Sequence, residues 1–194
     1  MILVTGGTGL VGCHLLYLLI KNNEIVVAIH RKNSNLDKVK KVFSSYSKNY
    51  NELFSKISWV EGDINDVQSL SIAFKDIEEV YHCAAFISFD KKDLAAMKKI
   101  NVEGTANMIN ISIDKKIKKF CYVSTIAAIG LSTNKFTDEE TEWSDNSNPY
   151  SQTKKNAEME VWRGVSEGLN VTIVNPGVII GSGFWKRGSG AFFT

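Results

Sequence analysis

A doubly wound parallel α/β sheet is the fold predicted by this 194-residue sequence, and three observations predict it. Short, apolar, β-rich runs alternate with longer amphipathic stretches. A glycine-rich turn joins the first such run to the first amphipathic stretch. Charges of both signs are dispersed along the whole chain, as suits a globular domain with a sizeable core.

The β-rich runs fall at 2–4, 25–29, 57–60, 80–84, 120–123 and 171–174, so a sheet of six or more strands is expected. Amphipathic stretches begin near Leu10, Leu36, Asp66, Lys91 and Pro149. That alternation is the rhythm of parallel strands joined by helices, and right-handed crossovers then place helices on both faces. Asn65 and Asp66 before one helix, and Asn148 with Pro149 before another, carry the chemistry of helix starts. No repeat or low-complexity tract interrupts the pattern. The irregular stretch 131–147 is long enough to be functional and is expected near the mouth of the site.

Composition narrows the partners. A formal net charge of +2 with scattered lysines offers no electrostatic surface for nucleic acid or an anionic membrane. A small-molecule substrate is therefore expected, and a homodimer stays open. The densest basic run, Lys115, Lys116, Lys118 and Lys119, reads as a solvated connection before the fifth strand. Cys13, Cys83 and Cys121 are odd in number and lie in apolar runs, the pattern of reduced, buried thiols rather than disulfides or a metal site. With a strand expected from residue 2 and no apolar run as long as a membrane span, a cytoplasmic protein is expected.

The turn Thr5-Gly6-Gly7-Thr8-Gly9-Leu10-Val11-Gly12 lies between the first strand and the first helix. In that context Gly6 permits a tight turn, Gly9 lets backbone approach a pyrophosphate, and Gly12 lets the helix pack closely on the strands. The unpaired N–H groups of Leu10 and Val11 then face the anion at a helix N-terminus. About 20 residues past Gly12, where a carboxylate commonly holds the adenosine ribose, this chain has Arg31 followed by Lys32. A guanidinium suits a 2′-phosphate, which favours NADP, with NAD as the other choice.

Tyr150 and Lys154 are four residues apart in the helix that Pro149 starts, and so share a face. A free phenol titrates near pH 10, about three units above neutrality, and a neighbouring ammonium brings it closer to useful acid-base chemistry. The fifth strand ends Tyr122-Val123-Ser124-Thr125 at the carboxyl edge, where doubly wound sheets bind ligands. Thr125 or Ser124 is positioned there to hydrogen-bond a substrate oxygen and Tyr150.

These motifs, with Gly62-Asp63-Ile64, His82-Cys83-Ala84-Ala85, Asn101-Val102-Glu103-Gly104-Thr105 and Asn175-Pro176-Gly177, resemble the extended short-chain dehydrogenase/reductase family, also called the NAD-dependent epimerase/dehydratase family. The resemblance spans nearly the whole chain and implies a Rossmann-like fold. It implies that Asp63 and Ile64 flank an adenine, that Ala84 and Ala85 line the cofactor channel, and that Asn101 lies near the dinucleotide. Tyr150 becomes the general acid/base, Lys154 the phenolate stabiliser and nicotinamide-ribose ligand, and Pro176 a neighbour of the nicotinamide. Register with Gly130 selects Thr125 as the third catalytic hydroxyl, with Ser124 beside it. His82, inside an apolar strand, reads as a packed core residue.

Departures from the family pattern refine the expectation. Sugar-nucleotide dehydratases place Asp-Glu after the catalytic Thr, and here Ile126 and Ala127 stand there. Arg31 resembles the arrangement of dihydroflavonol-type ketone reductases, so an NADP-dependent carbonyl reductase is the first expectation. A nucleotide-sugar epimerase with tightly held NAD is the second, and a noncatalytic NADP-binding sensor or scaffold the third. Phe86 and Phe89, after the fourth strand, read equally as substrate contacts or as packing. Residues 1–181 are expected to form the dinucleotide-binding domain, and 182–194 to begin a C-terminal substrate-binding portion that is mostly absent.

Overall fold

The computed structural model describes residues 1–129, 137–141 and 148–183. Most of the 131–147 stretch, Gly130 and residues 184–194 lie outside them. Six strands form one parallel sheet: β1 (Ile2–Thr5), β2 (Val26–His30), β3 (Ser58–Glu61), β4 (Glu79–His82), β5 (Lys119–Val123) and β6 (Val171–Val174). Their order is β3-β2-β1-β4-β5-β6, so the direction of winding reverses between β1 and β4. Loops leaving the carboxyl ends of those two strands diverge and open a crevice there.

The helices are α1 (Leu10–Lys21), α2 (Leu36–Tyr46), α3 (Tyr50–Ser55), α4 (Val67–Ala73), α5 (Leu94–Met97), α6 (Gly104–Asp114) and α7 (Pro149–Ser166). A π-helical turn, Lys98–Glu103, joins α5 to α6. Alternation along the strands divides the core in two. Val4, Val26 and Ala28 pack with Cys13, Leu16, Val39 and Phe43 of α1 and α2, while Leu3, Ile29, Val80, Phe120 and Tyr122 pack with Leu70, Met108, Ile109, Ala157 and Val161 on the other face.

Helix starts follow local chemistry with one adjustment. Asp66 Oδ1 accepts the Gln68 N–H at 3.1 Å and is the cap of α4, whereas the Asn65 amide turns back to Asp63. Asn148 Oδ1 accepts the Ser151 N–H at 2.9 Å, and Pro149 occupies the first turn of α7, where its missing N–H costs nothing. The basic run ends inside β5: Lys118 and Lys119 pair with Glu78 and Glu79 at 2.9 and 3.0 Å on the surface. Cys13 is buried, which pushes its thiol up to about 12, but Cys83 and Cys121 are only half-buried by exposure. Among the described residues no helix is long and apolar enough to cross a membrane.

Candidate active site

The glycine turn sits at the crevice. Gly6 takes φ +67°, the left-handed region, and a Cβ there would lie 2.7 Å from the Cys83 and Ala84 backbone. Any side chain would force β1 and β4 apart. Gly12 packs against the Gly6 carbonyl, so α1 begins almost in contact with the turn. Gly9 differs: the nearest atom to a Cβ there is the Gly6 oxygen at 3.3 Å, and the remaining space is open. It caps α1 without a side-chain hydrogen bond, leaving the first N–H groups, at Leu10 and Val11, for another acceptor.

Two connected hollows extend from this turn. One, about 290 Å³, runs past Gly6, Gly9, Ile64, Ala84 and Ala85. The other, about 820 Å³, is lined by Arg31, Lys32, Lys38, Glu61, Asp63 and Asp66, and shares Thr8, Arg31, Ser34, Gly62 and Asp63 with the first. Arg31, Asp63, Ile64, Ala84 and Ala85 are thus brought to one groove. Lys38 and Glu61 also reach it, from α2 and β3. Lys38 is adjacent to no motif, whereas Glu61 directly precedes Gly62-Asp63-Ile64, and the pairing of β2 with β3, with Ile29 opposite Val60, brings it beside the Arg31 loop.

Asn101 stands behind the groove. It is 1% exposed, its Oδ1 accepts the Phe86 N–H at 2.7 Å, and its Nδ2 donates to the Phe86 carbonyl and to Thr153 Oγ1, each at 3.0 Å. Such an amide braces the loop after β4 against α7 instead of facing a ligand.

At the other end of the rim, burial raises the pKa of the Tyr150 phenol and the neighbouring Thr125 side chain lowers it. Phe89 meets Tyr150 edge-on at 6.4 Å while 73% exposed, and Phe86 lies in the 290 Å³ hollow. Ser124 turns away from the phenol to donate to Glu158 Oε2 at 2.5 Å, and Asn175 Nδ2 donates to the same oxygen at 3.1 Å. The two neighbouring hydroxyls therefore have different surroundings: Ser124 fastens β5 to α7, and Thr125 is the one that bears on the Tyr150 phenol. Pro176 accepts the Ile126 N–H at 3.0 Å, which brings the end of β6 beside Thr125.

Lys154 does not take the position expected of it. Its ammonium donates to the Tyr122 hydroxyl at 2.7 Å and the Val123 carbonyl at 2.9 Å rather than to Tyr150. Burial pushes its pKa down to about 7, partly offset by Glu158 and Cys83. His82 is a packed core residue: Nδ1 lies 2.6 Å from Thr5 Oγ1 and Nε2 3.0 Å from Thr105 Oγ1, and burial pushes it down to about 3. Among the described residues no group of His, Cys, Asp and Glu is arranged to hold a metal ion.

Comparison with known proteins agrees with this geometry. Residues 4–192 match the family model described as male sterility protein. The chain is 32% identical to a putative dihydroflavonol 4-reductase of Synechocystis over 181 residues, covering 92% of this chain and 49% of the relative. It is 28% identical to sterol demethylase protein B of Methylococcus capsulatus, covering 92% of this chain and 51% of that one. The chain thus spans about half the length of the curated relatives it matches. In fold it is similar to a thiolation-reductase di-domain of an archaeal non-ribosomal peptide synthetase, with a TM-score of 0.77 at 24% identity over 91% of this chain and 41% of the other. A Rossmann-like parallel sheet, a glycine turn at its switch point and a match over nearly the full sequence lead to one conclusion: the chain belongs to the extended short-chain dehydrogenase/reductase family, in the branch described as male sterility protein.

Proposed function

We propose that this chain is the cofactor-binding and acid-base part of an NADP-dependent oxidoreductase that reduces a carbonyl of a small-molecule substrate, or oxidises the corresponding alcohol. What supports the reading is that the glycine turn after β1 and Ala84 after β4 line one groove at the carboxyl edge of the parallel sheet, the edge at which β5 also delivers Thr125. The residues present fit a dinucleotide. A side chain at Gly9 would project into the groove, the uncapped first turn of α1 supplies donors for a pyrophosphate, and Arg31 with Lys38 supplies charge for a 2′-phosphate.

When bound, the nicotinamide supplies or removes the hydride. Burial keeps the Tyr150 phenol protonated near neutral pH, so it serves as the acid that gives its proton to the carbonyl oxygen. Thr125 orients that phenol and hydrogen-bonds the phenolate left behind. Lys154, one turn along α7, supplies positive charge and a donor for the nicotinamide ribose. Ser124, Glu158 and Asn175 hold the end of β5 against α7 and β6, which keeps Thr125 in register with the phenol. Ile126 follows Thr125 with no carboxylate for water elimination, which supports reduction over dehydration.

Replacing Tyr150 by Phe in the complete protein tests the reading. NADPH consumption with a panel of aldehydes and ketones is expected to vanish while NADPH affinity stays within about twofold. Unchanged turnover would remove Tyr150 from the chemistry.

A further inference from the structure

Five polar side chains from five elements form one buried line. Lys154 of α7, 2% exposed, donates to the Tyr122 hydroxyl at 2.7 Å, and its ammonium stands 4.2 Å from the centre of that ring. Tyr122 of β5 is 1% exposed, and the neighbouring Thr105 side chain of α6 holds its pKa down against burial. Thr105 Oγ1 lies 3.0 Å from Nε2 of His82 on β4, whose Nδ1 lies 2.6 Å from Thr5 Oγ1. Thr5 ends β1, opens the glycine turn and accepts the Ala84 N–H at 3.2 Å.

The lysine end fixes the direction of the first hydrogen bond in this line, and one assignment of the others is consistent with it. An ammonium can only donate, so the Tyr122 oxygen accepts from Lys154 and the Tyr122 proton goes to Thr105. In that assignment Thr105 donates to His82 Nε2 and the ring proton sits on Nδ1, facing Thr5. This requires a neutral His82, the state that its burial enforces. A tyrosine serving only the core would be satisfied by Thr105 alone. The second partner, a buried ammonium, calls for another explanation, because a buried charge is tolerated only where acceptors are provided for it.

We propose that Tyr122 is a positioning residue for Lys154: its hydroxyl, oriented through Thr105 and His82, is the seat that holds the ammonium at the sheet edge where a nicotinamide ribose would meet it. The ribose clause rests on the nucleotide-binding reading given above, whereas the seat itself rests on the buried line. His82 on β4, Cys83 just after it, Tyr122 on β5 with Tyr150 beyond it, and Glu158 on α7 are the titratable groups around this ammonium, and Tyr122 is the one that accepts a hydrogen bond from it. Losing that acceptor disfavours the charged amine.

The test is a pH titration of the 13Cε lysine resonances of the full chain, with the Lys154 signal assigned by its loss in Lys154→Arg, alongside NADPH binding followed by fluorescence at neutral pH. The Lys154 midpoint is expected below those of the surface lysines, to fall by about one further pH unit in Tyr122→Phe, and to fall by less in Thr105→Val. NADPH affinity is expected to drop about tenfold in Tyr122→Phe. A Lys154 midpoint that stays at its wild-type value in the variants overturns the positioning role, because lost packing alone would lower stability without moving that resonance. If Tyr122→Phe does not fold, Thr105→Val carries the same decision. A wild-type chain that fails to bind NADPH overturns the nucleotide reading and the ribose clause with it, and the titration still decides the seat.

Discussion

The Asn101 amide donates to the Thr153 hydroxyl at 3.0 Å, and that single bond ties the π-helical turn to the helix that carries Tyr150. The same side chain holds both backbone groups of Phe86. A residue near the middle of the chain thus sets the spacing between the loop after β4 and the first turn of α7.

Asn101→Leu should leave the Phe86 N–H buried without a partner and release α7 from that loop. Urea denaturation is expected to show a loss of about 2 kcal/mol. A variant as stable as wild type would mean that the brace is dispensable.

Gly6 and Gly9 should separate the backbone requirement from the ligand requirement. Gly6→Ala forces a left-handed φ and a backbone clash, so stability should drop by more than about 1 kcal/mol. A methyl at Gly9 meets one atom closely, the Gly6 carbonyl oxygen at 3.3 Å, so Gly9→Ala should cost less stability than Gly6→Ala, yet the methyl lies at the groove and NADPH affinity should fall at least about tenfold. Thermal unfolding and fluorescence titration read the two effects independently.

Arg31→Ala should weaken NADP binding about tenfold to a hundredfold and NAD binding only slightly, measured by calorimetry with each nucleotide. Glu61, Asp63 and Asp66 line the same hollow, so removing the guanidinium leaves their negative charge facing a 2′-phosphate. Equal losses for both nucleotides would assign Arg31 to a contact common to the two.

His82 predicts a pH dependence. Its folded pKa, about 3, lies below its ordinary value of 6.5, so between these values the unfolded chain binds the extra proton. The contribution of His82 to stability is complete above pH 6.5 and is lost as pH falls towards 3. Between pH 6 and 5 the slope from this residue should approach about 1.4 kcal/mol per pH unit, and His82→Gln should lack it. Equal slopes for wild type and variant in urea titrations would show that His82 protonates without penalty.

Much of this architecture was legible from residues alone, for a physical reason. Parallel strands buried on both faces leave continuous apolar runs, and a glycine turn is demanded by close contact between β1, β4 and α1, so both leave marks in sequence. Helix α3 left none because Tyr50–Ser55 is one short segment with no side-chain cap. The split of duties between Ser124 and Thr125 depends on which hydroxyl faces Glu158, a matter of register across β5 and α7. Lys154 was expected beside Tyr150 because four-residue spacing puts both on one helical face. The ammonium extends instead beneath the sheet edge to Tyr122, where acceptors compensate its burial. Spacing reports the face of a helix and not the end point of a long side chain.

A crystal structure of the chain with NADPH tests the central claim most directly. The pyrophosphate should rest on the N–H groups of Leu10 and Val11, with the nicotinamide ribose in hydrogen-bonding reach of Tyr150 or Lys154. A nucleotide bound away from the β1–β4 crevice, or one whose nicotinamide points away from Tyr150, would contradict it.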